Sequence, residues 1–160
     1  MPEQRSRRQD PARTSPSRNT TALLGLAYMS LGHRIVDGVI AAGFPQRPAH
    51  SAVMAHIDME GGTRLTTIAA RANITPQAVG ELVDDLERLG HVVRGPDPDD
   101  RRAKRIVLTE QGRACVAAAL STIATLEAEL EGLLGSAALA QLHDMLGRIA
   151  AAGRNTGDAR

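Results

Sequence analysis

Residues 95–113 read GPDPDDRRAKRIVLTEQGR: three aspartates and then four basic side chains, in a loop between two short β-branched runs. An arginine at such a tip suits the minor groove of duplex DNA, because its planar cation enters the negative potential concentrated there. Inserting a flexible side chain costs conformational entropy, and a neighbouring carboxylate that holds it ready lowers that cost. Asp100 stands two residues from Arg102, on the same side of an extended chain. Arg102 is therefore expected to make the groove contact and Asp100 to brace it, with Arg101 and Lys104 as further cationic contacts. The alternative is a charged hairpin loop without a ligand. The segment in front of the loop weighs against that alternative.

That segment, LTTIAARANITPQAVGELVDDLERLG, carries its apolar residues at Leu65, Ile68, Ala69, Ala72, Ile74, Val79, Leu82, Val83 and Leu86. The spacing predicts two short helices meeting at a tight turn around Asn73, a residue type that tolerates the left-handed conformation. Small Ala69 falls where the helices cross, and Val79 and Leu82 face the core. Thr75 is placed as N-cap, Pro76 at the first helical position, and Gly90 as terminator. This is helix-turn-helix spacing, with Thr75 to Leu89 as the helix that enters a major groove by its N-terminal end. Thr75, Gln77, Ala78 and Glu81 are its outward positions. The Gln77 amide can pair with adenine N6 and N7, and Glu81 can accept from a cytosine amine. Asp84 and Asp85 make part of this face acidic, which phosphates would repel; Asp85, Glu87 and Arg88 also read as a solvated face with pairs such as Asp84 to Arg88.

The elements that must position these residues follow from pattern and composition. His91–Arg94 and Arg105–Leu108 bracket the aspartate-rich loop as an antiparallel hairpin, and a helix-turn-helix followed by a hairpin is a winged helix. In front, Leu24, Tyr28, Leu31 and Ile35 form one stripe of a helix from about Asn19 to Gly43. A connection through Phe44-Pro45 and Arg47-Pro48 leads to a short helix through Ala52, Val53, Met54 and Ile57, ending at Gly61-Gly62. Thr109 can cap a long helix striped by Val116, Leu120, Ile123, Leu126, Leu130 and Leu133; a last helix carries Leu139, Leu142, Leu146 and Ile149. The expected fold class is mainly α with a small antiparallel β-hairpin wing. Residues 47–108 form the winged helix-turn-helix DNA-binding region, within a domain spanning 19–153. The surplus apolar surface of helices in 19–43 and 109–153 points to dimerisation. Residues 1–18 hold five arginines against two acids and three of the eight prolines, which reads as a disordered basic arm. Residues 154–160 read as a flexible tail.

Composition narrows the function classes. Of 160 residues 42% are apolar, but only Tyr28 and Phe44 are aromatic, so the core is aliphatic and helical. No run approaches the ~18 apolar residues of a membrane span and no secretory leader is evident, so a cytoplasmic protein is expected. A net charge of +1 means that any nucleic-acid footprint is local. Eighteen of the nineteen basic residues are arginine, which coding bias can produce, so it is not read as phosphate recognition. No Ser-His-Asp, His-Cys or glycine-rich phosphate motif appears, so no enzyme and no cofactor are expected. Tyr28, Met29, His33, Arg34, His50, Met54 and His56 lie on two helices that could line a cleft for a small aromatic or anionic effector. Each of them taken singly also reads as core or surface. His33, His50 and His56 lack the accompanying carboxylate or thiol of a metal site, and none is expected. The single cysteine, Cys115, reads as a packed small hydrophobe, with thiol-based redox sensing as an alternative. A winged helix kept as a protein-interaction module without DNA binding is the other.

The run LVDDLERLGHVVRGPDPDDRRAKRIVLTEQGR resembles the MarR family of transcription regulators: a leucine-rich helix end, a glycine, an arginine-tipped wing with an Asp-x-Arg core, and Leu-Thr-x-x-Gly opening the next helix. The resemblance extends over about residues 19–153. It implies a homodimeric DNA-binding transcription regulator, expected to act as a repressor. It would bind a pseudo-palindromic operator as double-stranded DNA, dimerise by its first and last helices, and be released by a small ligand. It also implies that the residue matching Arg102 enters the minor groove, that the one matching Asp100 orients it, and that the one matching Asp84 pairs with the wing. Relatives commonly carry a basic or amide residue where this chain has Glu81.

Overall fold

The computed structural model describes residues 19–100 and 102–155, with side chains to residue 152. The basic arm at 1–18, Arg101 and residues 156–160 lie outside the described residues. The chain divides into two compact units, 1–119 and 120–160.

The first unit contains α1 (Thr20–Ala41), α2 (Pro48–Met54), β1 (Thr63–Arg64), α3 (Leu65–Ala72), α4 (Pro76–Arg88), β2 (Val92–Pro96), β3 (Lys104–Leu108) and the start of α5 (Glu110–Leu134). The Asn19 side chain accepts the Ala22 N–H and caps α1. Asn73 turns left-handed at φ 55°, ψ 43° between α3 and α4, and the Thr75 hydroxyl then accepts the Ala78 N–H to open α4. Gly90 ends it at φ 76°. These local expectations hold because each depends on only a few adjacent residues. The core joins Val39, Val53, Met54, Ile57, Ile68, Ala69, Val79, Val83, Leu86, Val92, Ile106, Leu108 and Cys115. Leu82, expected inside, is half-buried at its edge.

Three expectations are corrected. The second helix runs Pro48–Met54 and stops well before Gly61. Asp58 instead organises a turn beyond it: its carboxylate accepts the Glu60 and Gly61 N–H groups at 3.0 and 2.8 Å, while its own N–H donates to Thr63 Oγ1 at 2.9 Å. The wing is not an isolated hairpin, because β1 adds a third antiparallel strand in the order β1-β3-β2, pairing Thr63 with Ile106 and Arg64 with Arg105. Finally, α1 is long and apolar enough, by length and composition, to cross a membrane. Its glycines and polar residues had hidden this from a search for an unbroken run. Val36 and Val39 of α1 are buried, Val39 in the core.

The second unit holds the rest of α5 and α6 (Ser136–Asn155), which continues two residues past the expected start of the tail. Leu126 and Leu139 are buried, and His143 Nε2 lies 3.2 Å from Glu127 Oε2.

Candidate nucleic-acid interface

Val79, Val83 and Leu86 are fully buried, so the opposite face of α4 is set by the helical period. It exposes Thr75, Gln77, Glu81 and Asp84, with Ala78 half-buried. Gln77 Nε2 donates to Glu81 Oε1 at 3.4 Å, one turn on. The acidity that would repel phosphate is largely spent elsewhere. Asp85 pairs with Arg47 and with Arg88. Glu87 takes both the backbone N–H and the guanidinium of Arg94, and Asp84 Oδ1 lies 2.6 Å from Arg94 Nη2. The Asp84 to Arg88 pair is thus replaced: Arg88 turns to Asp85, and Asp84 reaches the wing strand β2. Glu81 is the one acid of α4 left near the helix start.

At the wing tip, Asp100 Oδ1 accepts the backbone N–H of Arg102 at 2.9 Å, and the Asp100 carbonyl accepts the Ala103 N–H at 2.9 Å. The expected link between Asp100 and Arg102 is thus made through the backbone. Asp100 shapes the turn that presents Arg102, because a two-residue offset in a turn brings side chain to backbone. Arg102 and Lys104 are exposed. The carboxylate that holds arginines from two strands is Asp97, 3% exposed, which sequence spacing did not single out. It accepts from Arg64 Nε at 2.6 Å and Arg105 Nε at 3.1 Å. The Arg64 hydrogen bond above all, with help from Arg105 and the Asp99 N–H, holds this carboxyl well below the usual carboxylate range, against burial. Its flanking prolines, Pro96 and Pro98, were the available signal that this aspartate, and not the other two, has a fixed backbone.

Away from the wing, Tyr28, Met29, His33 and His56 line a cleft of about 540 Å³ with Ser51, Arg71 and other α1–α3 residues. The remaining candidates separate from them. Met54 is core, Arg34 does not line the cleft, and His50 is buried on another side, its Nδ1 accepting the Arg47 N–H and its Nε2 3.6 Å from Asp85 Oδ2. The cation in the cleft is Arg71, from α3. Among the described residues no group of His, Cys, Asp and Glu could hold a metal ion. Cys115 is buried at 2% exposure, and burial pushes its thiol pKa up, opposite to what thiolate chemistry requires.

Comparisons with known proteins converge on this architecture. The MarR family pattern matches residues 46–103. The chain is 30% identical to the transcriptional repressor CouR in a structure bound to a 23-mer DNA duplex, covering 89% of this chain and 99% of that one with a TM-score of 0.71. CouR from Rhodococcus jostii bound to p-coumaroyl-CoA aligns at 25% identity over 88% and 96% of the two chains, TM-score 0.71. A MarR-family transcriptional regulator from Rhodococcus sp. aligns at 26% identity over 81% and 91%, TM-score 0.67. Among curated proteins no sequence match is found.

Proposed function

The chain belongs to the MarR family of transcription regulators, and from that premise we propose that it is a homodimeric, ligand-released repressor acting on a pseudo-palindromic operator in the cytoplasm. It works by binding and carries out no turnover. The observation that carries this reading is the alignment with a repressor solved on DNA, over 99% of that repressor's length. Thr75, Gln77, Ala78 and Glu81 read base edges in the major groove. Arg102 enters the adjacent minor groove, Arg101 and Lys104 meet phosphates, Asp100 sets the tip, and Asp84 steadies the wing through Arg94.

The effector is a small aromatic or anionic molecule in the cleft of Tyr28, Met29, His33 and His56, its negative end toward Arg71. The p-coumaroyl-CoA bound to CouR makes an aromatic acyl thioester a reasonable first compound to try. Its expected action is to lower DNA affinity.

Duplexes selected from a random pool by the wild-type protein provide the test. Arg102→Ala should weaken binding by about 1–3 kcal/mol, as other well-made DNA contacts do, with folding unchanged. Asp100→Ala should also weaken binding, although removing a negative charge near DNA would by Coulomb's law strengthen it. Tighter binding by Asp100→Ala would mean that the aspartate only repels phosphate. Failure of the wild type to enrich any duplex would overturn the DNA-binding reading.

A further inference from the structure

Asp97 opens the tip loop directly after β2, and its position is fixed from several sides. Its backbone N–H donates to the Ala103 carbonyl at 3.2 Å, and its Oδ1 accepts the Asp99 N–H at 2.9 Å. Its Oδ2 is left for two arginines from different strands, Arg64 of β1 and Arg105 of β3. Their roles differ. Arg105 is spent within the wing, donating also to Asp99 Oδ2 at 2.8 Å and lying 3.5 Å from the Gly61 carbonyl. Among the described residues the Arg64 side chain makes one hydrogen bond, from its Nε to Asp97, and is 43% exposed. A guanidinium gripped by its Nε keeps its outer N–H donors in a fixed fork suited to a phosphate. Arg64 is also the N-cap residue of α3, the first helix of the helix-turn-helix. With Thr67, Arg71 and Arg105 it lines a polar hollow of about 350 Å³ in which Asp58 is the single lining acid.

We propose that Asp97 is a positioning residue for DNA binding, holding Arg64 by its Nε so that the outer guanidinium edge meets a backbone phosphate beside the groove that the wing enters. The wing tip and the start of the helix-turn-helix are tied through this one carboxylate, so a wing placed on DNA carries Arg64 to the flanking strand. The inference rests on the DNA-binding reading above and adds to it a phosphate contact and its support.

The test uses full-length protein, the duplex selected by the wild type, and the variants Asp97→Asn, Arg64→Ala and their combination. Asp97→Asn should bind on the order of tenfold more weakly, although it removes a negative charge. Arg64→Ala should lose a similar factor, the double variant no more than either single one, and each should make the salt dependence shallower by about one counterion. Hydroxyl-radical protection should disappear at the same backbone position in all three. A purely structural Asp97 would lower the melting temperature and leave the salt slope as it was. Unchanged or tighter binding by Asp97→Asn, additive losses, or an unchanged slope in Arg64→Ala would overturn the proposal. If Asp97→Asn does not fold, the slope and footprint of Arg64→Ala decide alone. A wild type that binds no duplex would fail the underlying reading instead, and this inference with it.

Discussion

His91 is wholly buried between the end of α4 and the start of β2, its ring meeting Phe44 edge-on with centroids 6.2 Å apart. Neither ring nitrogen has a hydrogen-bond partner among the described residues. Burial therefore pushes its pKa below 6.5, and burial, followed by the nearby charges of His91 and Arg88, does the same to His50. Well above pH 6.5 both histidines are neutral in folded and unfolded chains; as pH falls through 6.5 the unfolded chain takes up protons that the folded one refuses, so stability falls as pH drops. The melting temperature should decline from pH 7.5 to 5.5. His91→Leu should flatten that decline and leave the protein at least as stable at pH 8, since it removes two unsatisfied polar atoms. A decline as steep as the wild type's would show that His91 does not drive it. Asp97 titrates in a separate, far more acidic window, because its pKa is depressed: its stabilisation persists above the ordinary carboxylate range and is lost only in strong acid.

The junction between wing and long helix is set by one turn of α5. Thr109 Oγ1 donates to the Gly90 carbonyl at 2.6 Å and accepts the Gly112 N–H at 2.9 Å, and the Thr109 N–H donates to the His91 carbonyl at 3.0 Å. One residue thus caps α5 and ties it to the end of α4. The close approach leaves no room at position 112, where a Cβ would run into the His91 carbonyl oxygen. This gives the Leu-Thr-x-x-Gly motif a physical meaning: threonine for the cap, glycine for the approach. Gly112→Ala should destabilise on the order of 3 kcal/mol, the upper end of overpacking costs. Gly132→Ala, in the same helix with nothing near its Cβ, should instead stabilise by up to about 1 kcal/mol. Equal urea midpoints for the two variants would refute the close-approach account.

At the scale of the whole molecule, apolar surface exceeds what a single chain covers. In the first unit α1 exposes Leu23, Leu26, Tyr28 and Met29; in the second, Leu120, Leu133, Met145 and Ile149 are exposed. Such surfaces are ordinary for helices that meet a second copy and costly for a free monomer. Sedimentation at micromolar concentration should give a dimer, and Leu26→Glu or Leu133→Glu should shift it toward monomer. DNA bound by that dimer should carry half-sites about 10 base pairs apart, one turn of the duplex. A wild-type chain that sediments as a stable monomer would remove the basis for a pseudo-palindromic operator.

What the sequence alone determined is what neighbouring residues decide between themselves: the left-handed turn at Asn73, the Thr75 cap with Pro76 behind it, the stop at Gly90, the hairpin around the aspartates, and hence the winged helix and its exposed Gln77, Glu81 and Arg102. Each rests on dihedral preference, capping or apolar period over a few positions. Only the tertiary structure decided which charges meet. Arg64 reaches Asp97 across 33 residues, Asp85 turns to Arg47, Glu87 closes on Arg94, and two residues at 63–64 become a strand because β3 lies beside them. Three aspartates in one loop are equivalent to a pattern of spacing, and so Asp97, which holds Arg64 and Arg105, was not told apart from Asp99 and Asp100. The physical reason is that helical and strand periods specify which face a residue occupies, while the partner of a charge depends on which distant backbone the core packing brings within hydrogen-bond distance.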